Sequence, residues 1–537
     1  MFETLIRNGK IINGAGNPWF KADIAIKNGM IAKIGLLHDA EAKREIDAEG
    51  LVVSPGFIDI HTHSDIPHLL YPQAENYIRQ GVTTMVFPNC GTGIAPLNEE
   101  MKAEIIKDNP ELKKAGLDWE TYDEYLIKQE KIGTSVNIAP LIGFGTVRRY
   151  VMGWEMRAPS KKELDDMKSE VEKAMKAGAF GITTGLRYDP QSYAKTDEVI
   201  ELAKIVAKYG GFYTTHQRDE GDRDDPIGSV REVIEIGEKA GLPVNISHFE
   251  ILVKHHWDKL EEEICMIENA RARGVDITAD QYPYTGSGTS PRAWIPKWAN
   301  EGGIDALAKR LKDPDTSRMI KEGLIQVMDW RGGPETVLIR SYPLNDAYVG
   351  KTVAEVAKKL GKDPGDTYFD LFKEHVEKVV SGKISGNFGV VAFCLQDKDV
   401  ITIMQKPWVM HSSDGRAHKL GIESGVHPRW YGTFPRVLGK YVREKKIISL
   451  EEAVRKMTSL VTQRLGIFDR GIIAKGIWAD LTIFDPDKVI DKAQWAPQKE
   501  VMQYPEGIPY VIVNGVITLD KGKHTGALAG KVLRKKQ

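Results

Sequence analysis

Two histidines in the stretch GFIDIHTHSD, His61 and His63, have the type and spacing of metal ligands. On a strand, residues two positions apart point to the same side, so both imidazoles could bind one metal ion. The same pair could also be two ordinary polar residues at the end of a strand. The pair therefore indicates a metal site only if further ligands come from elsewhere in the chain.

Further candidate ligands follow other apolar runs of the sequence. His216 ends the run in YTTHQR, His248 ends the run in NISHFE, and Asp414 follows the run in WVMHSSDG. In a closed barrel of parallel strands the C-terminal strand ends surround one mouth, where catalytic groups usually lie. Four histidines and one carboxylate with this common placement are hard to explain by packing. We therefore predict one metal centre built from the strand ends.

Cys90, in the stretch PNCG, is a candidate ligand of another kind. Zinc favours imidazole and thiolate, and two neighbouring zinc ions need a bridging anion. In many such sites the bridge is a carboxylated lysine, but the run AFGITTGLRY ends without one, and Lys173 and Lys176 precede it. A thiolate could bridge instead. Cys90 is thus either a ligand or a buried apolar residue, and the open turn implied by Gly91 and Gly93 favours the ligand.

The scaffold that would bring these residues together is visible as alternating strand and helix patterns. Short apolar runs alternate with helical segments such as KKELDDMKSEVEKAMKAG. Eight such units are what a closed parallel barrel needs, so we predict an α/β fold with a (β/α)8, TIM-like barrel over residues 54–468. The eight runs are VVSPGFIDIHTH, VTTMVFPNCG, SVNIAPLIGFG, AFGITTGLRY, GFYTTHQRDE, PVNISHFEIL, VDITADQYPY and WVMHSSDG.

The two ends of the chain and one internal segment do not follow the barrel pattern. Both ends read as hairpins with Asn-Gly turns, so we predict that residues 1–53 and 469–537 form one small β-sandwich. Residues 285–407, between the seventh and eighth runs, have helical patterns of their own, KTVAEVAKKL and TYFDLFKEHVEKVV. We expect this insertion to be a cap subdomain over the metal centre.

Composition limits the classes of partner. Lys and Arg number 74 against 75 Asp and Glu, a net charge of -1, so no overall field attracts nucleic acid or an anionic membrane. The N-terminal stretch MFETLIRNGK lacks the apolar run of a secretory signal, and no segment resembles a membrane span. We expect a cytoplasmic protein with a small-molecule substrate. Three cysteines are too few for a disulfide framework, and the apolar contexts of Cys265 and Cys394 predict core positions.

At this point the chain resembles a known family. GFIDIHTHSD, the strand-end histidines, SSDG and the divided terminal sandwich are similar to the amidohydrolase superfamily. PNCG, GLRYDP, ADQYPYT and HPRWYGTFPRVLGKYVRE resemble its N-acyl-D-amino-acid deacylase, or D-aminoacylase, branch. The resemblance covers nearly the whole chain, insertion included. It implies zinc-dependent hydrolysis of N-acyl-D-amino acids, and the D configuration is expected from the resemblance alone.

The resemblance also implies roles for individual residues. Cys90 would share a tightly bound zinc with His216 and His248, while His61, His63 and Asp414 would face a second, weaker metal position. Asp414 would also be the catalytic acid and base. The resemblance further implies that the substrate's α-carboxylate binds Arg429, a natural partner because the guanidinium fork is planar and always charged. The residues implied to help orient the substrate are Tyr188 and Tyr282.

One departure from the family pattern and two rival functions remain. Phe144, in LIGFGTVR, stands where many relatives have a histidine. The change leaves the proposed ligands intact, but pocket polarity and substrate range typical of the family are not assumed. A cyclic-amide hydrolase of the dihydroorotase or hydantoinase kind would use the same barrel, with a carboxylated lysine and no need of Cys90. A non-catalytic scaffold protein is the other alternative, although a scaffold would not need to keep the ligand set.

Overall fold

A ring of parallel strands forms the centre of the structure, a computed structural model that describes residues 1–221, 225–421, 426–495 and 501–536. Neighbouring strands pair in sequence order, and Thr62 after the first strand bridges Gly415 after the last. The third strand is interrupted at Leu141, so its two halves pair with different neighbours. In the described residues the barrel strands are Phe57–Asp59, Val82–Phe87, Asn137–Pro140 with Ile142–Gly143, Gly181–Gly185, Phe212–His216, Val244–Ile246, Ile277–Gln281 and Val409–His411.

The barrel strands read as unbroken apolar runs because both of their faces are covered. All six residues of Val82–Phe87 are buried, as are all five of Phe212–His216. Parallel strands between a filled barrel interior and an outer layer of helices have no solvent side, so the period-two alternation of an exposed sheet disappears. The eight runs identified in the sequence are these eight strands in the described part of the chain.

The outer helices bury one apolar stripe each against the strands. Lys161–Lys176 begins at Ser160, whose hydroxyl accepts from the Glu163 amide while the Glu163 carboxylate accepts in return from the Ser160 amide. Its buried residues, Met167, Val171, Ala174 and Met175, recur at helical spacing. The α-helices outside the insertion are Asp65–Leu70, Glu75–Ile78, Glu99–Asp108, Leu112–Ala115, Tyr122–Ile132, Phe144–Met152, Lys161–Lys176, Thr196–Lys208, Pro226–Ala240, Leu260–Ala272, Arg429–Arg436, Leu450–Lys456 and Ser459–Leu465, and Val437–Glu444 is a π-helix.

Strands from both ends of the chain share one sheet. The C-terminal strand Leu481–Phe484 pairs antiparallel with Val52–Pro55, which joins the two halves. Ile24, Ile46 and Leu481 belong to one fully or almost fully buried cluster on this sheet. The division into domains at residues 53 and 469 stays a prediction. The strands of the sheet in the described residues are Phe2–Ile11, Phe20–Lys27, Met30–Gly35, Ala42–Asp47, Val52–Pro55, Leu481–Phe484, Tyr510–Val513, Val516–Asp520 and Lys523–His524.

The segment between the seventh and eighth barrel strands has an apolar core of its own. Trp294, Tyr368 and Phe372 are buried in it against the segment's small antiparallel sheet. The exact limits predicted for the insertion stay a prediction. In the described residues its strands are Ser287–Thr289, Val337–Ser341 and Gly389–Ala392, and its α-helices are Gly303–Arg310, Pro314–Trp330, Val353–Leu360, Pro364–Val380 and Asp397–Met404.

The structure corrects one of the cysteine predictions. Cys394 is buried, but Cys265 is exposed. Cys265 lies on the helix Leu260–Ala272, whose buried stripe passes through Ile264 and Ile267 and leaves position 265 on the solvent side. The apolar neighbours that suggested a core position therefore belong to the opposite face of that helix.

Among the described helices, none is at once long and apolar enough to cross a bilayer.

Candidate metal centre

The residues predicted as ligands meet at the C-terminal mouth of the barrel. They lie at or just after the C-terminal ends of five strands, and parallel strands of a closed barrel end on the same side. His216 is the last residue of its strand, while the others lie in the first turn after theirs. The residues that line the same cavity at this mouth are His63, Cys90, His216, His248 and Asp414, and His61 lies beside them with its side chain fully buried.

Three of these residues leave their strands with a left-handed backbone. The φ angles are +51° at Cys90, +32° at His248 and +45° at Asp414. A side chain in this region costs about 1–2 kcal/mol, less for aspartate, so sequences adopt it where surrounding structure demands it. All three residues line the cavity at the mouth. The backbone is thus strained in the residues that would have to converge on an ion.

Cys90 belongs to two groups of potential metal donors. The thiol and the imidazoles of His216 and His248 place donor atoms within 4.8 Å of one another, and so do the same thiol, His61 and His63. Cys90 Sγ lies 3.4 Å from His61 Nε2 and 3.7 Å from His248 Nε2. His216 Nδ1 lies 2.8 Å from His248 Nε2. The Cys90 thiol is therefore a member of both of these adjoining donor groups.

The electrostatics at the mouth favour a thiolate. Burial by itself raises the pKa of the Cys90 thiol, but the imidazoles of His61 and His63 outweigh it and hold the pKa well below its usual range. Burial disfavours the charged ring of His61, yet Cys90 and Asp280 raise the pKa of that ring to about 10. A buried thiolate among imidazoles is the environment in which a cysteine binds a soft divalent cation.

Asp414 lies between the histidine pair and Arg429. One carboxylate oxygen, Oδ1, is 3.0 Å from His63 Nε2 and 3.6 Å from His61 Nε2. The other oxygen, Oδ2, is 2.7 Å from Arg429 Nη2, and Arg429 Nε donates to the Asp414 carbonyl at 2.9 Å. Burial opposes the charge of Asp414, but Arg429 and His63 keep its pKa well below the usual range. The residue is therefore held as a carboxylate.

The other predicted site residues also line the mouth. The Arg429 guanidinium stacks 4.6 Å from the ring of Tyr282, and the ring of Tyr188 lies 4.7 Å from that of His216. Phe144 begins the helix after the third strand and is fully buried in the apolar core between barrel and helices. Phe144 is not among the residues that line the cavity at the mouth.

Two carboxylates at the site were missed by the sequence reasoning. Glu220 contacts both His216 and His248, and Asp280 Oδ1 lies 3.4 Å from His61 Nδ1. Glu220 lies four residues after the fifth barrel strand, in HQRDE, and Asp280 is the penultimate residue of the seventh, in ADQYPY. This placement is a signal in the sequence, but other acidic residues near strand ends share it. Glu250 lies nearby, and burial together with the charge of Glu220 raises its pKa to about 8.

The mouth opens into a cavity of about 570 Å³ that the barrel and the inserted segment line together. The donor atoms occupy its floor. The inserted segment contributes part of its wall, with polar, cationic and aromatic side chains that include Ser287, Arg292, Arg340 and Phe388. A cavity of this size has room for a small organic molecule above the donor set.

The donor set fits zinc. Zinc binds thiolate and imidazole, usually four ligands in structural sites and three plus an open position in catalytic ones. Cys90, His216 and His248 supply three such donors beside an open cavity. The lysine bridge of other binuclear sites has no counterpart at this end of the fourth strand, because Lys173 and Lys176 are exposed on the helix that precedes it.

Comparison with known proteins gives the family. The family model described as "Amidohydrolase family" matches residues 44–519. D-aminoacylase of Alcaligenes xylosoxydans xylosoxydans is 33% identical over 535 residues, 99% of this chain and 97% of that protein. The structure of N-acyl-D-glutamate deacylase from Bordetella bronchiseptica, complexed with zinc and a phosphonate mimic of the tetrahedral intermediate, has a TM-score of 0.79 and 29% identity, covering 99% of both chains.

A more distant comparison concerns the fold alone. A D-hydantoinase structure has a TM-score of 0.57 at 16% identity, covering 100% of this chain and 99% of that one, a likeness that shows the fold only. The predicted TIM-type barrel is thus confirmed, and the higher sequence identity and TM-score favour the linear-amide relatives over the cyclic-amide ones. The chain belongs to the amidohydrolase family, in its N-acyl-D-amino-acid deacylase (D-aminoacylase) branch.

Proposed function

We propose that this chain hydrolyses the amide bond of N-acyl-D-amino acids with zinc, giving a carboxylate and a free D-amino acid. The observation that carries the proposal is the shared position of Cys90 in two donor groups, in a chain whose full-length relatives are deacylases of this kind. The D configuration follows from those relatives. The substrate is a small molecule, and a cytoplasmic location stays a prediction of the sequence.

The tight zinc would be held by Cys90, His216 and His248, the donor group that is almost wholly buried. A second, weaker position would be held by His61, His63 and Asp414, with the Cys90 thiolate between the two. Zinc bound there supplies Lewis acidity, which polarises an amide carbonyl and makes water a better nucleophile at neutral pH. We expect the weaker position to empty first, because two of its side chains are only partly buried.

Asp414 would move the proton during hydrolysis. Arg429, against the effect of burial, lowers its pKa and keeps it ionised, and the ionised carboxylate is the form that can accept a proton from the attacking water. The same carboxyl group would then donate that proton to the nitrogen of the departing amino acid. One residue can serve both half-steps because the water and the nitrogen meet on the same carbonyl carbon.

Arg429 would bind the α-carboxylate of the substrate. Two of its nitrogens already contact Asp414, and a guanidinium has five N–H groups, so donors remain for a second carboxylate. Tyr282 packs against the guanidinium plane, and Tyr188 packs against His216 at the cavity wall. A substrate carboxylate on Arg429 would place the adjacent amide beside Asp414 and the donor group, a positioning effect that lowers the barrier.

A hydrolysis screen tests the proposal. Protein of measured zinc content would be assayed with N-acetyl derivatives of D- and L-amino acids and with hydantoins, and release of free amine would be measured. We expect turnover of D substrates only, because the relatives that match the full chain act on that configuration. Exclusive turnover of L substrates, or of hydantoins, would overturn the assignment.

Arg429→Lys tests the carboxylate contact. Lysine keeps the charge but loses the planar fork, and losing one partner of a buried charged contact typically costs 2–5 kcal/mol. We expect kcat/KM for an N-acetyl-D-amino acid to fall at least about 30-fold. Because Arg429 also touches Asp414, some of any loss in kcat comes from that contact. The measurement is therefore made on two substrates, the acid and its α-amide.

The acid-to-amide ratio of kcat/KM isolates the role of Arg429 in binding. Only the acid has a carboxylate, so effects that pass through Asp414 reduce both values and cancel in the ratio. The ratio should fall in Arg429→Lys and stay at the wild-type value in Arg416→Lys, a second arginine of the cavity wall. An unchanged ratio in Arg429→Lys would show that the carboxylate binds elsewhere.

A further inference from the structure

Glu220 contacts both imidazoles of the proposed tight zinc site from the outside. Its Oε1 lies 2.8 Å from His248 Nδ1, a contact bent away from the ideal hydrogen-bond line, and its Oε2 lies 3.5 Å from His216 Nε2. Glu220 is 4% exposed, so water does not screen these contacts effectively. One buried carboxylate therefore spans two histidines that come from different barrel strands.

The two histidines use opposite ring nitrogens toward each other and toward Glu220. His248 Nε2 faces Cys90 Sγ at 3.7 Å and His216 Nδ1 at 2.8 Å, so these are the inner nitrogens of the donor group. His248 Nδ1 and His216 Nε2 are the outer nitrogens, and both face Glu220. A neutral imidazole carries its single proton on one nitrogen only, and the other nitrogen keeps the lone pair that binds a metal.

We propose that Glu220 is a positioning residue that fixes both tautomers at the tight site. By attracting the N–H groups of the two outer nitrogens, its carboxylate leaves both inner nitrogens as lone-pair donors and holds the rings at the angle the ion needs. Outer carboxylates of this kind orient metal-binding histidines and increase their basicity. The inference rests on the proposed zinc position at Cys90, His216 and His248.

The loop around Glu220 holds the carboxylate in place. The Glu220 carbonyl accepts from the Leu252 amide at 2.7 Å, which ties the loop after the fifth strand to the loop after the sixth. The next residue, Gly221, donates its amide to Asp219 Oδ1 at 2.8 Å. His216 ends the strand before the first of these loops and His248 lies in the second, so the link holds the two histidines and the carboxylate that faces them as one unit.

Asp280 plays a narrower part, which makes Glu220 the more informative residue to change. Asp280 reaches one ligand histidine side chain, His61, at 3.4 Å. Its other contacts hold the surrounding backbone and side chains: the His248 amide donates to it at 3.0 Å, Ser412 Oγ donates at 2.7 Å and Asn245 Nδ2 donates at 2.8 Å. Replacing Asp280 would disturb the barrel interior as well as the site, whereas Glu220 touches two imidazoles of a single donor group.

Glu220→Gln is the test, read as zinc affinity in the absence of substrate. Glutamine has nearly the same shape but one acceptor oxygen, so at least one histidine would meet an N–H₂ group at its outer nitrogen. We expect the zinc dissociation constant, measured by competition with a chelator, to rise about 10- to 100-fold. Glu220→Asp keeps the charge on a shorter side chain and should give a smaller increase.

Glu198→Gln is the matched control. Glu198 is a buried glutamate on the same barrel that pairs with Arg148, and its replacement should leave zinc affinity unchanged. Thermal unfolding of the metal-free variants separates weaker binding from misfolding. In the cobalt-substituted protein, Glu220→Gln should also weaken the thiolate-to-metal absorption band at a fixed cobalt concentration.

Wild-type zinc affinity in a folded Glu220→Gln variant would overturn the inference. If Glu220→Gln does not fold, Glu220→Asp decides by the same measurement. Zinc binding is measured without substrate, so a failure of the proposed function can be distinguished from a failure of the positioning role. A protein that hydrolyses no N-acyl-D-amino acid but loses zinc affinity in Glu220→Gln would contradict the function and support the positioning role.

Discussion

Replacing Asp414 by asparagine is expected to lower kcat for an N-acyl-D-amino acid by about 10³-fold or more. A general acid or base typically contributes 10²- to 10⁴-fold, and this carboxylate would serve both half-steps. Asparagine has the same shape and tolerates the left-handed backbone at this position, where φ is +45°. The three side chains of the proposed tight zinc site are unaltered. The variant should therefore be folded and zinc-loaded but nearly inactive.

The measurements for Asp414→Asn are kcat, bound zinc and the unfolding temperature. The loss of the 2.7 Å pairing with Arg429 will reduce stability, so the assay is run well below the measured transition. Asp65→Asn is the matched control, since Asp65 is another buried carboxylate that lines the cavity, and its activity should stay within a few-fold of wild type. Full activity in Asp414→Asn would refute the proposed proton transfer.

Cys90→Ser is expected to lose zinc and activity together. Serine is similar in size and would meet the same backbone strain at φ +51°, but its hydroxyl is a poor zinc ligand near neutral pH. Because Cys90 is common to both donor groups, one substitution weakens both metal positions. We expect zinc affinity to fall at least about 100-fold, because loss of a residue that only orients a ligand typically costs 10- to 100-fold.

Zinc analysis after dialysis and the rate of hydrolysis at saturating zinc test this expectation. Cys265→Ser is the control, because that thiol is exposed on an outer helix, and it should keep both zinc and activity. The cyclic-amide alternative makes the opposite prediction for Cys90, since its bridge is a carboxylated lysine. An active, zinc-replete Cys90→Ser enzyme that required bicarbonate would favour that alternative.

The ligand candidates could be found from the sequence because they lie at or just after the ends of apolar strands. A strand that is buried on both faces reads as a largely apolar run, so His216, His248 and Asp414 stand out as potential metal ligands at or just after the ends of such runs. The barrel then brings equivalent positions together, whatever their separation in the chain. Cys90 was found by the same reasoning, and the structure places its thiol beside two imidazoles.

Glu220 and Asp280 could not be assigned in the same way. Acidic residues are common near strand ends, and their importance depends on which ring nitrogen they face. Glu220 acquires its place from two loops whose contact runs through the Leu252 amide, 32 residues further along the chain. The wrong prediction that Cys265 lies in the core has a similar origin, since its apolar neighbours in sequence occupy the other face of their helix.

The sequence by itself determined the alternation of strands and helices, the polar strand ends and the motifs of the deacylase branch, because burial pattern and local residue type are written along the chain. The tertiary structure alone decided that the Cys90 thiol is the common corner of two donor groups, that Arg429 is paired with Asp414, and that Glu220 spans two histidines. These are distances of a few ångströms between side chains from different strands, and they exist only once the barrel has closed and fixed the direction of each turn.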